Sequence, residues 1–145
     1  MDRTHSSINS LLEQATCIAR RSKEAAGETE STEGYKRRQT EELIKFANDN
    51  GLWIDLSHLN ITYMDRGGEN EVFHDGNVSV VKLNNFEYAG DDLENFFIRI
   101  AAHNKFFGNV PYQMIGFAYN SQQEFCAVLV QPVSYTHLRA HETGA

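Results

Sequence analysis

One lysine stands out because it lies in an apolar, β-branched run where charged side chains are uncommon. Lys82 follows Val80 in the segment 78–83, which predicts a strand, and period-two alternation places these two side chains on one face. A lysine at a strand end commonly extends its ammonium to water. However, a glycine turn, Gly67-Gly68, precedes it by one strand, and glycine turns let backbone N–H groups approach phosphates. Lys82 is therefore either a solvated strand end or an anion-binding residue.

The elements around Lys82 predict an α+β fold. From residue 61 their order is strand, strand, strand, helix, strand, strand, which indicates a five-stranded antiparallel sheet with one packed helix. The helix is predicted over residues 92–107, with Asp91 or Asp92 as its N-cap. Glu94 in its first turn is either a partner for Lys82 or a solvated acid favoured by the helix dipole. The strands are predicted over residues 61–64, 71–74, 78–83, 112–119 and 124–130.

Two helices are predicted before the sheet, over residues 7–25 and 35–50. The polar segment 27–34 is bracketed by glycines and predicts a linker between them. Asn50-Gly51 ends the second helix in the manner of a left-handed C-cap. The first helix could be an appendage or a partner-binding helix. The predicted units are an N-terminal helix with its linker (1–34), a lobe with a leading helix (35–133) and a tail (134–145).

Composition excludes several classes of protein. The 145 residues predict about one domain, and 13 Lys+Arg against 20 Asp+Glu give a net charge of −7, which argues against a nucleic-acid-binding protein. The chain contains no apolar run of the ~18 residues that span a bilayer. The two cysteines have no metal-ligand spacing and fit a reducing cytoplasm. Cations are scarce in residues 51–133, which contain Arg66, Lys82, Arg99 and Lys105.

Residues 52–133 resemble the N-terminal lobe of a protein-kinase-like domain. The similarity is greatest to the Ser/Thr/Tyr kinase-like domain of bacterial polyvalent proteins carried on mobile elements. The glycine turn departs from the kinase pattern, since it has two glycines where G-x-G-x-x-G has three. The segments that carry the resemblance are Gly67-Gly68-Glu69-Asn70-Glu71-Val72, Val80-Val81-Lys82-Leu83-Asn84-Asn85, His103-Asn104, Ile115-Gly116-Phe117 and Leu129-Val130-Gln131-Pro132.

The resemblance implies ATP as a cofactor, with Mg²⁺ in the intact parent protein, and it implies roles by position. Lys82 and Glu94 would form the catalytic pair, with Glu94 the best candidate for the helix acid. His103, on an otherwise apolar helix, is favoured as a structural histidine. Gln131 taken alone is equally a polar strand end. The implied nucleotide-binding residues are Gly67 and Gly68 over the phosphates, Lys82 at the phosphates, Val72 and Val80 against the adenine, and Gln131 and Val133 in the hinge.

The last twelve residues differ from what a kinase requires there. After Val133 the sequence has neither an H-R-D-type catalytic loop nor D-F-G, which supply the base and the Mg²⁺ ligands. Residues 134–143 resemble a translated adapter-like tail found on metagenomic gene predictions. The chain is therefore expected to be a truncated nucleotide-binding lobe, inactive without the C-terminal lobe of its parent. The alternative is a non-catalytic, pseudokinase-like interaction module of a mobile-element multidomain protein.

Overall fold

The helices and strands follow one another in the predicted order. A computed structural model describes residues 3–26, 32–76 and 79–132. Single 3₁₀ turns over Leu56–His58 and Glu87–Ala89 lie between the main elements. The helices are α1 (Arg3–Ala26), α2 (Thr32–Asn50) and α3 (Leu93–Phe106), and the strands are β1 (Thr62–Arg66), β2 (Asn70–His74), β3 (Ser79–Asn84), β4 (Gln113–Tyr119) and β5 (Phe125–Pro132).

The five strands form one sheet in the order β1-β2-β3-β5-β4, and every neighbouring pair is antiparallel. This confirms the predicted α+β fold. Tight turns join β1 to β2 and β4 to β5, whereas α3 lies between β3 and β4 in the chain. As a result β3 is the central strand, with β2 on one side and β5 on the other. Lys82 is thus carried by the middle strand of the sheet.

The three helices share one hydrophobic core with one face of the sheet. Ala15 and Ala19 of α1 are fully buried, and their small side chains allow the helix to approach its neighbours closely. They meet Leu43 of α2, Phe97 of α3 and Phe117 of β4 in the same cluster. The helix predicted over residues 7–25 is therefore confirmed and belongs to the core.

The opposite face of the sheet is covered by the segment that precedes β1. Ile54, Leu56 and Ile61 pack against a second cluster of buried strand residues, among them Leu83 and Val128. A parallel bridge joins this segment to β4 through Trp53 and Phe117. Two backbone hydrogen bonds of 2.9 Å support it, from Ile54 N–H to the Phe117 carbonyl and from Phe117 N–H to the Leu52 carbonyl.

Helix boundaries confirm two predictions and correct one. Gly51 (φ 63°) ends α2 in the left-handed conformation, and Asp92 caps α3 by accepting a hydrogen bond from Glu94 N–H at 3.0 Å. The predicted linker 27–34 is too long, because α2 already begins at Thr32. The buried Gly34 lies within that helix, where a glycine is tolerated when it serves close packing. The rest of that linker, residues 27–31, lies outside the described residues.

Two further results concern membrane-spanning helices and the C-terminal residues. No helix in the described ranges is both long enough and apolar enough to cross a bilayer. Val133, predicted in the hinge, and the predicted tail 134–145 lie outside the residues that the structure describes.

Candidate functional site

The structure brings four of the predicted site residues to one face of the sheet. Lys82 on β3 is paired with Val72 on β2, and Val80 is paired with Gln131 on β5. Directly opposed residues of antiparallel strands project to the same face, and residues two apart on one strand do so as well. Val72, Val80, Lys82 and Gln131 therefore lie on one face, which alternation within the strand predicted for Val80 and Lys82. Leu129, the other neighbour of Lys82, continues this face towards β4.

Lys82 borders a cavity of about 230 Å³ between this sheet face and α3. Its side chain is half-buried, and its Nζ donates a hydrogen bond to the Tyr112 hydroxyl at 3.1 Å. Nζ also lies 5.1 Å from the centre of the Tyr112 ring. Both contacts involve a neutral group, so they leave the charge of the ammonium available to an anion. The cavity is lined by Glu69, Asn70, Lys82, Asn84, Tyr88, Phe96, Arg99, Ile100, His103, Tyr112 and Leu129.

Charged and polar groups in this cavity favour an anion. Lys82 and Arg99 are cationic, while Glu69 is the one acid among the lining residues of the described chain. His103 contributes a ring whose Nε2 lies 3.1 Å from the Val110 carbonyl oxygen. Since a carbonyl only accepts hydrogen bonds, that nitrogen carries a proton. The cavity is thus richer in N–H donors and positive charge than in carboxylates, although the whole chain is acidic.

The glycine turn lies beside the same cavity. Gly67 N–H donates to the Asn70 carbonyl at 2.9 Å, which closes the turn between β1 and β2. The Asn85 side chain donates to the Gly68 carbonyl at 3.0 Å and links the turn to the chain that follows β3. A side chain at Gly68 would overlap the hydroxyl of Tyr88, whereas Gly67 faces open space. A side chain at the second position would therefore displace the exposed Tyr88 ring, while the backbone at neither glycine has a positive φ.

Glu94 does not meet Lys82 in this structure. Its carboxylate accepts hydrogen bonds from Arg20 Nε at 2.6 Å and from Lys23 Nζ at 2.9 Å, both on α1. Burial acts to raise the pKa of Glu94, but the hydrogen bonds from Lys23 and Arg20 outweigh it and leave that pKa below its usual value. The Lys23 ammonium also pairs with Asp92 at 2.7 Å. The geometry connects Glu94 to α1, and its predicted catalytic role stays a prediction.

Gln131 is held through its side chain. Its Nε2 donates to the Val110 carbonyl at 3.1 Å, the same oxygen that His103 contacts. The segment before β4 is thereby attached to both α3 and the end of β5. The backbone of Gln131 belongs to the last part of β5, where the sequence predicts a hinge.

Two residues of the cavity, Tyr112 and Arg99, carry contacts that the sequence analysis did not identify, and so does Asn104, which bonds the Tyr112 backbone. Arg99 and His103 are four residues apart on α3 and flank Ile100, so the helical period could have placed them on the side facing the sheet. The contact between Tyr112 and Lys82 joins residues 30 apart in the chain, and no local pattern signals it.

No group of three or more His, Cys, Asp or Glu side chains in the described ranges is arranged to hold a metal ion. Mg²⁺ is bound by oxygen ligands, commonly one or two carboxylates together with substrate phosphates. Among the residues that line the cavity at Lys82, Glu69 is the one carboxylate.

Comparison with known proteins gives one result. The model of a family described as "Serine/Threonine/Tyrosine Kinase found in polyvalent proteins" matches residues 36–143. Neither curated proteins nor solved structures yield a match. The matched range begins in α2 and contains β1 to β5 together with α3.

Proposed function

Because the chain belongs to the family of serine/threonine/tyrosine kinases found in polyvalent proteins, we propose that its sheet and α3 form a nucleotide-binding lobe in which Lys82 binds the phosphates of ATP. One observation carries this proposal most directly. The Lys82 ammonium, on the central strand, borders a cavity beside a glycine turn, and its described contacts are neutral. A phosphate group would supply a counter-charge in direct contact with this ammonium.

The neighbouring side chains fit the rest of a nucleotide. Val72 lies opposite Lys82 and Val80 lies two residues before it on β3, so both add apolar surface beside the lysine, and such a surface suits an adenine ring. Arg99 and Lys82 on the cavity wall suit a chain of phosphates. The backbone at Gln131 is proposed to meet the adenine edge. ATP is the cofactor proposed on these grounds.

What this part of the chain is proposed to do is bind and orient, because phosphoryl transfer also requires a base and carboxylate or amide ligands for Mg²⁺. The proposed role of Lys82 is to hold phosphate oxygens through its ammonium. Gly67 and Gly68 let the turn backbone approach those oxygens. Binding, and not turnover, is therefore the property to measure on this chain.

The test compares Lys82→Met with wild type. Methionine keeps the length of the side chain and removes its charge, so we expect ATP affinity to fall about 10-fold or more, with adenosine affinity little changed. Lys105→Met is the matched control, since Lys105 is an exposed lysine in the last turn of α3. Isothermal titration with ATP and adenosine measures both. Equal ATP affinity in Lys82→Met and wild type would contradict the proposed role of Lys82.

A non-catalytic interaction module is the second candidate, and the placement of Glu94 favours it. Protein kinases use an acid from the helix after β3 to pair with the strand lysine. Here Glu94, the buried acid of that helix, forms ion pairs with Arg20 and Lys23 instead. This candidate predicts that ATP, with or without Mg²⁺, leaves the melting temperature of the chain unchanged, whereas a nucleotide-binding lobe is stabilised by its ligand.

A further inference from the structure

A lysine side chain is long and flexible, so a site that uses its ammonium needs a partner that holds it in place. In this structure the partner is Tyr112. Its hydroxyl accepts a hydrogen bond from Lys82 Nζ at 3.1 Å, and its ring centre is 5.1 Å from the same nitrogen. We propose that Tyr112 is the positioning residue for Lys82, an inference that rests on the proposed role of Lys82 in phosphate binding.

Tyr112 is itself fixed from several sides, as a positioning residue must be. The Asn104 side chain makes two hydrogen bonds to its backbone, donating to the carbonyl at 2.8 Å and accepting from the N–H at 2.7 Å. The His103 ring lies 4.7 Å from the Tyr112 ring, centre to centre. Both side chains come from the C-terminal part of α3, so that helix determines where the phenol stands. Tyr112 also directly precedes β4, and Pro111 restricts the backbone before it.

A phenol and a carboxylate hold an ammonium in different ways. An ammonium has three N–H donors, of which Tyr112 accepts one and two stay available for phosphate oxygens. Because the phenol is neutral, it orients Lys82 without cancelling its charge. The ion pair that holds Glu94 on α1 is then compatible with an ordered, fully charged Lys82. A site built in this way needs no acid from α3.

The experiment removes only the hydroxyl. Tyr112→Phe keeps the ring and its contact with the ammonium, and Tyr119→Phe is the matched control on β4, where the ring stacks on Trp53. In the ligand-free chain, NMR of side-chain ¹³Cε and ¹⁵Nζ nuclei reports the environment and mobility of Lys82. We expect its signal to move and sharpen in Tyr112→Phe and to stay in place in Tyr119→Phe. An unchanged Lys82 signal in Tyr112→Phe would overturn the positioning role.

Nucleotide titrations then connect the contact to binding. We expect Tyr112→Phe to weaken ATP binding about 3- to 10-fold, the effect of one hydrogen bond to a charged group, and to leave adenosine binding within about 2-fold. Equal losses for ATP and adenosine, or no loss for ATP, would overturn the inference. If wild type binds neither ligand, the proposed function fails while the NMR result still decides whether Tyr112 positions Lys82.

The reciprocal variant guards against a Tyr112→Phe chain that does not fold. In Lys82→Met the ring signals of Tyr112 should shift, because the cation above the ring is gone. In Lys105→Met they should not. Identical Tyr112 ring signals in Lys82→Met and wild type would show that the two side chains do not meet in solution, and the inference would be overturned.

Discussion

The partner of Glu94 can be determined by a double-mutant cycle, and the structure predicts the outcome. The Glu94 side chain is 8% exposed and accepts a hydrogen bond from Lys23 Nζ at 2.9 Å. We expect Glu94→Gln to lower the free energy of unfolding at pH 7 by about 1–2 kcal/mol, since it removes the negative charge that pairs with Arg20 and Lys23 of α1. Glu87→Gln, at an exposed acid, is the control and should change it by less than about 0.5 kcal/mol.

The coupling between Glu94 and Lys23 should be smaller than a buried ion pair would give. Lys23 is 37% exposed, so water screens its attraction to Glu94, and we expect a coupling of about 0.5–1 kcal/mol. The cycle combines Glu94→Gln with Lys23→Met and is measured by urea unfolding. The same cycle with Lys82→Met should give a coupling near zero. A clear coupling of Glu94 to Lys82 together with none to Lys23 would refute the assignment of Glu94 to α1.

The dependence on pH follows from the direction of the pKa shifts. Glu94 has a pKa below its usual 4.5 in the folded chain, and Asp92 has a pKa below its usual 3.8. A carboxyl group with a lowered folded pKa stabilises the fold above its unfolded pKa and loses that contribution as the pH falls through the folded pKa. The difference between wild type and Glu94→Gln should therefore be full at pH 6–7 and decline below about pH 4. A difference that grows on acidification would contradict the reasoning.

Two further predictions concern the core and the thiols. Gly116→Ala should lower the free energy of unfolding by about 2–4 kcal/mol, because a side chain there would overlap the Leu52 carbonyl. Gly67 faces open space, so the control Gly67→Ala should lower it by less than about 1 kcal/mol. Urea unfolding measures both variants. Burial raises the pKa of the Cys126 thiol to about 12, whereas Cys17 is exposed. A maleimide at pH 7.5 should therefore modify Cys17 and leave Cys126 unmodified, which peptide mass spectrometry measures. Rapid labelling of Cys126 in the folded chain would contradict its burial.

Local pattern was enough to predict the strands of the sheet and which side chains of β3 share a face with Lys82. Alternation within 78–83 places Val80 and Lys82 on one face, and the register confirms that Val72 joins them. Assigning side chains to the two faces of one strand is a short-range problem, because a period of two leaves only two choices of face. The order of the elements likewise followed from turn residues such as Gly76, which adopts a positive φ of 77°.

Contacts between distant elements could not be predicted in the same way. Arg20 and Glu94 lie 74 residues apart, and the charges of α1 gave no sign of where they would be paired. Tyr112 was predicted only as the start of a strand, because its role depends on how α3 packs. The end of the linker was misjudged because a glycine such as Gly34 ends a helix in one context and serves packing within a helix in another.

The helical phase of α3 explains why Glu94 and Lys82 stay apart. Successive residues of an α-helix are about 100° apart around its axis, so Glu94 lies roughly 180° from His103, which lines the cavity. No side-chain rotation can move Glu94 to the other side of the helix. Turning the helix instead would withdraw Phe97 and Ile100 from the core, and burying each such side chain stabilises the fold by about 1.5–3 kcal/mol. The same packing that points Glu94 at α1 therefore presents His103 and Asn104 to Tyr112, and through Tyr112 it determines where the ammonium of Lys82 stands.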